Sequence, residues 1–407
     1  MGKKFQIYFS LFFLSFFLLF SGTTVGQDNK SEVLAITHGP YLQNITEKSA
    51  TIMWFTNKNC VSRVEYGTGE NMRTFPQWGS LVQTAVSSSF GLIDANTKNH
   101  KIVIRDLEPG KSYRYRLVSK EIVQFQPYEV LFGSTVVSEI FTFKTLNPLQ
   151  ESISFYVVND IHEDTARLDT QIQSVPWDTI DMIFLNGDSI NHFEDEKQIF
   201  DGFLDTCVKK FAKDIPFILI RGNHETRGVL ARDLIHYIPP RDDKYYYSFN
   251  HGPAHFIVLD TGEDKSDSHP VYAGLADFDR YRDLQAEWLE VNAQSENFLE
   301  TSFQIVICHI PLYTGTDRPG RVNHGQQYIK TSWGPIFNDS GIDLLICGHT
   351  HRFKILPSDK DHNYPIVIGG LDTNIRVHVT QTELTVDVLE SDGTIRESFS
   401  ISAEISK

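Results

Sequence analysis

The hydrophobic pattern along the chain changes character twice. Phe5 to Phe20 is an unbroken apolar run of sixteen residues, with Lys3 and Lys4 before it and Ser21-Gly22-Thr23-Thr24-Val25-Gly26 after it. A basic start, a short apolar stretch and a small-residue exit have the form of a secretory signal peptide, so residues 1–26 are expected to be removed on export. The run is short for a membrane span, and no second one of that length follows. From about Ile36 to Thr145 short β-branched and aromatic runs, among them Ser49–Thr56, Val61–Tyr66, His100–Arg105 and Ile140–Lys144, are separated by Gly, Pro and Asn. That punctuation predicts an all-β sandwich over residues 35–147. Beyond residue 152 the texture becomes α/β. Strand-length runs Ser154–Val158, Met182–Leu185, Phe217–Ile220, His255–Leu259, Gln304–Ile307 and Asp343–Ile346 alternate with helical patterns at Glu194–Lys213, Asp279–Asn297 and Gln326–Phe337. From Pro365 the chain returns to strands, with Ser391-Asp392-Gly393 as a hairpin turn between Leu384–Leu389 and Thr394–Ile401.

The stretch Leu107-Glu-Pro-Gly-Lys-Ser-Tyr113-Arg-Tyr115 resembles the tyrosine corner of fibronectin type III and immunoglobulin-like domains, with Tyr113 as the corner residue. Gly110-Lys111-Ser112 imitates the tail of a phosphate-binding loop, but Arg105 stands where the first glycine is needed, so this is a turn. With 407 residues, 41% hydrophobic and 22% charged, the chain has material for two folded domains and is not a disordered one. The formal charge is −15, and −17 once Lys3 and Lys4 are removed. An acidic surface disfavours nucleic acid and anionic membranes, which are polyanions. Cys60, Cys207, Cys308 and Cys347 lie far apart, and four thiols allow three pairings. Cys308 and Cys347 sit inside apolar runs and read as buried free thiols.

Five apolar runs end alike. Each is followed at once by ligand-type residues: Asp160-Ile161-His162, Gly187-Asp188, Gly222-Asn223-His224-Glu225, His309, and Gly348-His349-Thr350-His351. The carboxyl edge of an open α/β sheet is where such folds carry their sites, and five strands can bring residues far apart in sequence to one point. Two carboxylates, four imidazoles and an amide oxygen suit two divalent cations of the Mn, Fe, Zn or Co type. A carboxylate can bridge both ions, which leaves coordination positions open for solvent and substrate.

D-x-H, G-D, G-N-H-E, a lone H and G-H-x-H, in that order, resemble the calcineurin-like metallophosphoesterases across about Ile153 to Gly370. The upstream sandwich and the string His309-Ile-Pro-Leu-Tyr313 are similar to the two-domain architecture of purple acid phosphatases. The resemblance implies a four-layer α/β phosphoesterase domain over residues 152–404. It implies that Asp160, His162 and His351 hold one metal, that Asn223, His309 and His349 hold the other, and that Asp188 bridges them. It makes His224 the proton donor to the leaving oxygen. Two departures are linked: purple acid phosphatases have D-x-G and G-D-x-x-Y where this chain has Asp160-Ile161-His162 and Gly187-Asp188-Ser189-Ile190-Asn191. The tyrosinate of that family is replaced by an imidazole. Where protein phosphatases have GDxxDR, this chain reads Asn191-His192, which removes both the carboxylate behind the proton donor and the phosphate-clamping arginine.

The expected activity is that of a secreted or periplasmic binuclear phosphoric ester hydrolase, a phosphomonoesterase in which a metal-activated hydroxide attacks phosphorus. Its partner is a phosphorylated small molecule, with no nucleic acid and no membrane after signal cleavage. A phosphodiesterase or nucleotide pyrophosphatase on the same cage is the alternative enzyme, and a secreted binding module with structural metals is the alternative from another class. His192, Asn191 and Arg318 are candidate substrate contacts; His192 is weighed against capping the next helix, and Arg318, like Arg321 and His324 of the loop TGTDRPGRVNHG, against standing in solvent. Glu225 is expected to orient a turn or support a ligand from behind rather than act as a base, and His236, His251, His255, His269, His362 and His378 to be structural or superficial. G-x-S-x-G and H-E-x-x-H are both absent, which sets aside serine hydrolases and zincins.

Overall fold

The structure is a computed structural model that describes residues 32–68, 82–315 and 322–403. The signal-like segment, Arg318 and Arg321 lie outside the described residues. The first seven-stranded sheet is built from β1 (Ile36–Gln43), β2 (Ala50–Gly67), β3 (Gln83–Ala85), β6 (Thr97–Ile104), β7 (Ser112–Gln126), β8 (Glu129–Val137) and β9 (Phe141–Lys144), with the small hairpin β4 (Ser88–Ser89) and β5 (Leu92–Ile93) beside it. The runs Ser49–Thr56 and Val61–Tyr66, expected as two strands, are one. The front of β2 pairs with β1 and β6, and its back pairs with β3 and β7. A register irregularity between Phe55 and Cys60 lets β2 bend where it passes from one set of partners to the other. Trp54 is buried between the layers, with its indole N–H donating to Ser119 Oγ at 3.0 Å. The Tyr113 hydroxyl accepts from the Glu108 N–H at 2.9 Å, the hydrogen bond expected of a corner tyrosine.

His100 on β6 carries a pH prediction. Burial alone depresses its imidazole to about 4. It packs 5.1 Å from the Trp54 ring, and Nε2 lies 2.9 Å from Thr56 Oγ1. Between pH 6.5 and 4 the unfolded chain takes a proton that the folded one refuses, so stability falls as pH falls and levels off below 4. Unfolding titrations at several pH values should show a loss of about 3 kcal/mol over that window that is missing in His100→Gln.

Two mixed sheets follow. One has the order β12-β11-β10-β19-β20-β21, from β10 (Ser152–Val158), β11 (Met182–Asn186), β12 (Phe217–Ile220), β19 (Thr373–Thr380), β20 (Glu383–Glu390) and β21 (Ile395–Ser402). The other has the order β13-β14-β15-β16-β18-β17, from β13 (Tyr247–His251), β14 (Ala254–Val258), β15 (Phe303–Ile307), β16 (Leu344–Cys347), β17 (Lys354–Leu356) and β18 (Ile366–Ile368). Their inner faces share a core in which Phe155 meets Phe256 edge-on at 5.1 Å. Helix Thr165–Gln173 and the helical run 197–212 cover the outer face of the first. Helices Phe278–Asn292, His324–Ser332 and Gly334–Ser340 cover the second, giving four layers, helix, sheet, sheet and helix. The single helix expected over Gln326–Phe337 is broken because Gly334-Pro335 starts a new one, where proline needs no N–H partner. Beyond Val379 the antiparallel strands β20 and β21 meet at Gly393, whose φ of 88° is the left-handed conformation the turn requires.

The N-terminal sheet packs against the helical segments around Phe200, Lys213 and Tyr237. Tyr41 donates to the Tyr237 carbonyl and Tyr115 to the Lys213 carbonyl, both at 2.6 Å. His38 stacks on Phe200 at 3.7 Å.

Candidate metal centre

β10, β11 and β12 are parallel, and so are β14, β15, β16 and β18, so the carboxyl ends of the strands open on a common edge. The chain turns out of them sharply. Asp160, His162, Asp188, His349 and His351 have φ of 51°, 51°, 52°, 70° and 59°, a left-handed conformation that costs a residue with a Cβ about 1 kcal/mol or more. Five such residues at one edge point to a functional constraint rather than to packing. Two glycines make room: a Cβ on Gly187 would strike the His309 ring, and one on Gly222 would strike the Asp188 carboxylate.

Asp160, His162, Asp188 and His351 form one group of converging ligand atoms, and Asp188, His309 and His349 form a second, so Asp188 belongs to both. His162 Nε2 and His351 Nε2 face each other at 3.0 Å, and His351 Nε2 lies 3.5 Å from Asp160 Oδ1. In the second group His309 Nε2 is 3.0 Å from Asp188 Oδ2, and His349 Nδ1 is 3.0 Å from Asn223 Oδ1. Two of the imidazoles are oriented from behind. His162 Nδ1 meets Asn191 Oδ1 at 3.1 Å, and His309 Nδ1 donates to the Asn186 carbonyl at 2.8 Å, which aims both Nε2 atoms inward. Facing nitrogen lone pairs repel one another. Ligand atoms about 3 Å apart are what bonds of about 2.1 Å at right angles to a shared cation produce. The donor set therefore fits two divalent ions.

The electrostatics agree. His309 is fully buried, which opposes its charge, yet Asp188 and then Asp160 hold its imidazole well above the usual range. Asp188 is buried too, and His309 with His224 holds its carboxyl well below the usual range. The two thus form a buried ion pair, with the proton on His309 Nε2 standing where a cation would take its place. His351 is raised by its hydrogen bond to Asp160, whereas burial lowers His162 and takes His349 down to about 4, so these two are neutral donors at pH 7.

Glu225 is buried, and its carboxylate accepts from the N–H groups of Asp188, Ser189 and Gly222 at 2.9, 2.6 and 2.8 Å. It orients the turn that carries Asp188, as expected, and burial with the Asp188 charge pushes it up to about 7. Asn191 is a scaffold as well. Its side chain braces His162, and its carbonyl accepts from His224 Nδ1 at 2.6 Å, where a carboxylate would otherwise stand. His224 belongs to neither ligand group but lies 3.9 Å from Asp188 Oδ2. His192 is exposed beside Glu194 at 3.7 Å, and His324 faces the Asp279 carboxylate at 2.8 Å; neither joins the cluster. His251, His255 and His362 are buried in structural hydrogen bonds. Cys308 and Cys347 are buried thiols with sulfurs 3.7 Å apart.

Sequence reasoning missed Arg227. Its Nε and Nη2 donate to the two oxygens of buried Glu263 at 2.8 and 2.9 Å, and its Nη1 lies 3.1 Å from His224 Nε2. An arginine three residues past the proton-donor position was the only available signal, because Glu263 comes from a different strand end.

Residues 153–353 match the family described as Calcineurin-like phosphoesterase, and residues 40–145 match the Purple acid Phosphatase N-terminal domain. The chain is 25% identical over 336 residues to acid phosphatase type 7 of Danio rerio, which covers 76% of this chain and 69% of that protein. It is 24% identical over 356 residues to the Homo sapiens acid phosphatase type 7, covering 81% and 74%. A purple acid phosphatase from yellow lupin seeds (Lupinus luteus) superposes with a TM-score of 0.64 at 15% identity, over 90% of this chain and 74% of that one, which establishes likeness of fold.

Proposed function

Since the chain is a calcineurin-like phosphoesterase that carries a purple acid phosphatase N-terminal domain, we propose that it is an exported, two-metal phosphomonoesterase acting on phosphorylated small molecules. The reading is supported above all by the two ligand groups that share Asp188 at the carboxyl edge of both sheets. Asp160, His162 and His351 would hold one ion, Asn223, His309 and His349 the other, and Asp188 both. When bound, such a pair supplies Lewis acidity to the phosphoryl oxygens and an acidified water as nucleophile. Asp188, Asp160 and the four imidazoles would hold the ions. His224, oriented by the Asn191 carbonyl, is placed to protonate the departing alkoxide once its ring carries both protons. The His351 side chain is 45% exposed, so one side of the cluster is open to solvent, as catalysis requires and a closed structural site does not. Export follows from residues 1–26; among the described residues no helix is long and apolar enough to cross a membrane.

The test is release of phosphate from a chromogenic monoester and diester with added Mn, with and without chelator. Chelator-sensitive turnover that favours the monoester is expected, and chelator-independent turnover or none would defeat the reading. The same metal-replete protein should be colourless and work nearer pH 7 than pH 5. Asn191 occupies the tyrosinate position and is committed to His162, while the Tyr313 hydroxyl donates to the Asp361 carbonyl at 3.0 Å. Without a phenolate there is no charge-transfer band, and two carboxylates match a divalent ion, which acidifies water less than a trivalent one. A strong visible band with an acid optimum would show that another residue supplies the anion.

A further inference from the structure

We infer that Arg227 is the clamp for a non-bridging phosphoryl oxygen, an inference that rests on the phosphoesterase reading and adds to it the residue that grips the substrate. The guanidinium has one edge committed. Nε and Nη2 donate to the two carboxylate oxygens of Glu263, a residue 1% exposed, and the Thr226 hydroxyl donates to the same carboxylate at 3.2 Å. Its backbone is pinned as well, since the Arg227 carbonyl accepts from the Phe193 N–H at 2.7 Å. A side chain held at both ends has already lost the rotamer freedom that a loop arginine would have to lose on binding.

The other corner of the guanidinium points toward His224 and the ligand cluster. Nη1 lies 3.1 Å from His224 Nε2, and that nitrogen is 3.9 Å from Asp188 Oδ2, so the free corner reaches the face where the two ligand groups meet. Because His224 Nδ1 donates to the Asn191 carbonyl, Nε2 is the lone pair that Nη1 finds. A neutral lone pair is a poor partner for a guanidinium compared with an anionic phosphoryl oxygen. A phosphate at the ligand cluster therefore offers Nη1 a better acceptor and frees Nε2 to take up from solvent the proton it then gives to the leaving group. Glu263 does not cancel this role. Asp264, 3.6 Å from Nη2, is paired with Lys265 at 2.7 Å, so the four side chains are together neutral and Arg227 acts as a fixed directional donor.

The experiment compares wild type with Arg227→Met, Arg227→Lys and the double variant Arg227→Met/Glu263→Gln, which leaves no unpaired buried carboxylate if the single variant fails to fold. Metal content, calorimetric affinity for orthophosphate and the steady-state constants on a chromogenic monoester are measured for each. Arg227→Met and the double variant should keep both ions, bind orthophosphate roughly 10- to 100-fold more weakly and raise KM in step. Arg227→Lys should recover only part of the loss, because an ammonium cannot hold Glu263 by two bonds and still reach the phosphate. Orthophosphate affinity within about twofold of wild type in a folded, metal-replete Met variant, single or double, would overturn the clamp. A wild type that binds orthophosphate through Arg227 but hydrolyses no phosphoester would overturn the functional reading and leave the clamp standing.

Discussion

Asp188→Asn is expected to lose one of two bound metal ions and to cut turnover by about 10³-fold or more, several kcal/mol of transition-state stabilisation. The substitution is isosteric, and the loop around it should persist. The Glu225 carboxylate grips the backbone N–H groups of residues 188 and 189, not the side chain, and the His224 N–H needs only the single oxygen Oδ1 at 2.9 Å. An amide that keeps that hydrogen bond must turn its NH₂ toward His309 Nε2, which now faces Asp188 Oδ2 at 3.0 Å. An NH₂ group coordinates no cation. The bridging charge also disappears from between two dications a few ångströms apart, so their mutual repulsion is no longer offset where water is scarce. Elemental analysis of the purified variant beside its kcat checks this. Two ions per chain with near-wild-type turnover would defeat the shared-ligand arrangement.

The parts of this site that were legible in the sequence are those whose signal is local. An apolar run of strand length ending in Asp, Asn or His says both that the residue leaves a strand and which way the strand points. Five such endings converge as expected because parallel strands have no other common edge. The sandwich strands were legible for a similar reason, although β2 shows the limit of the method. Asn57-Lys58-Asn59 looks like a turn between two strands, and only the register slip against β6 turns it into a bend within one. What the sequence did not disclose is the support behind the ligands. Asn191 was weighed as a substrate contact from its place in a motif, but it spends its side chain on His162 and its carbonyl on His224. Main-chain acceptors carry no sequence signature, so the substitution of a carbonyl for the missing carboxylate could not have been anticipated. Arg227 and Glu263 lie 36 positions apart, and neither falls in a motif that names the other. The clamping arginine was sought in the loop near Arg318, which lies outside the described residues, whereas the fold supplies one from the turn that holds Asn223 and His224.

Removal of His224 is expected to separate proton donation from metal binding. His224 belongs to neither ligand group, and its ring is anchored through Nδ1 to the Asn191 carbonyl, so His224→Ala should keep two ions per chain. Its backbone N–H, which donates to Asp188 Oδ1, survives the substitution and keeps the bridging carboxylate oriented. The cost should fall on the chemical step. A general acid contributes about 10²- to 10⁴-fold when the leaving alkoxide is a strong base, and little when the leaving group is a nitrophenolate that departs unaided. Loss of the ring also leaves Arg227 Nη1 without the nitrogen 3.1 Å away, which frees the guanidinium for phosphate and should hold KM near or below its wild-type value. The decisive measurement is kcat for a series of monoesters whose leaving groups span several pKa units, in wild type and His224→Ala. A steeper dependence on leaving-group pKa in the variant is the signature of a missing proton donor. A uniform loss across the series, or a fall in metal content with it, would assign His224 to positioning or coordination instead.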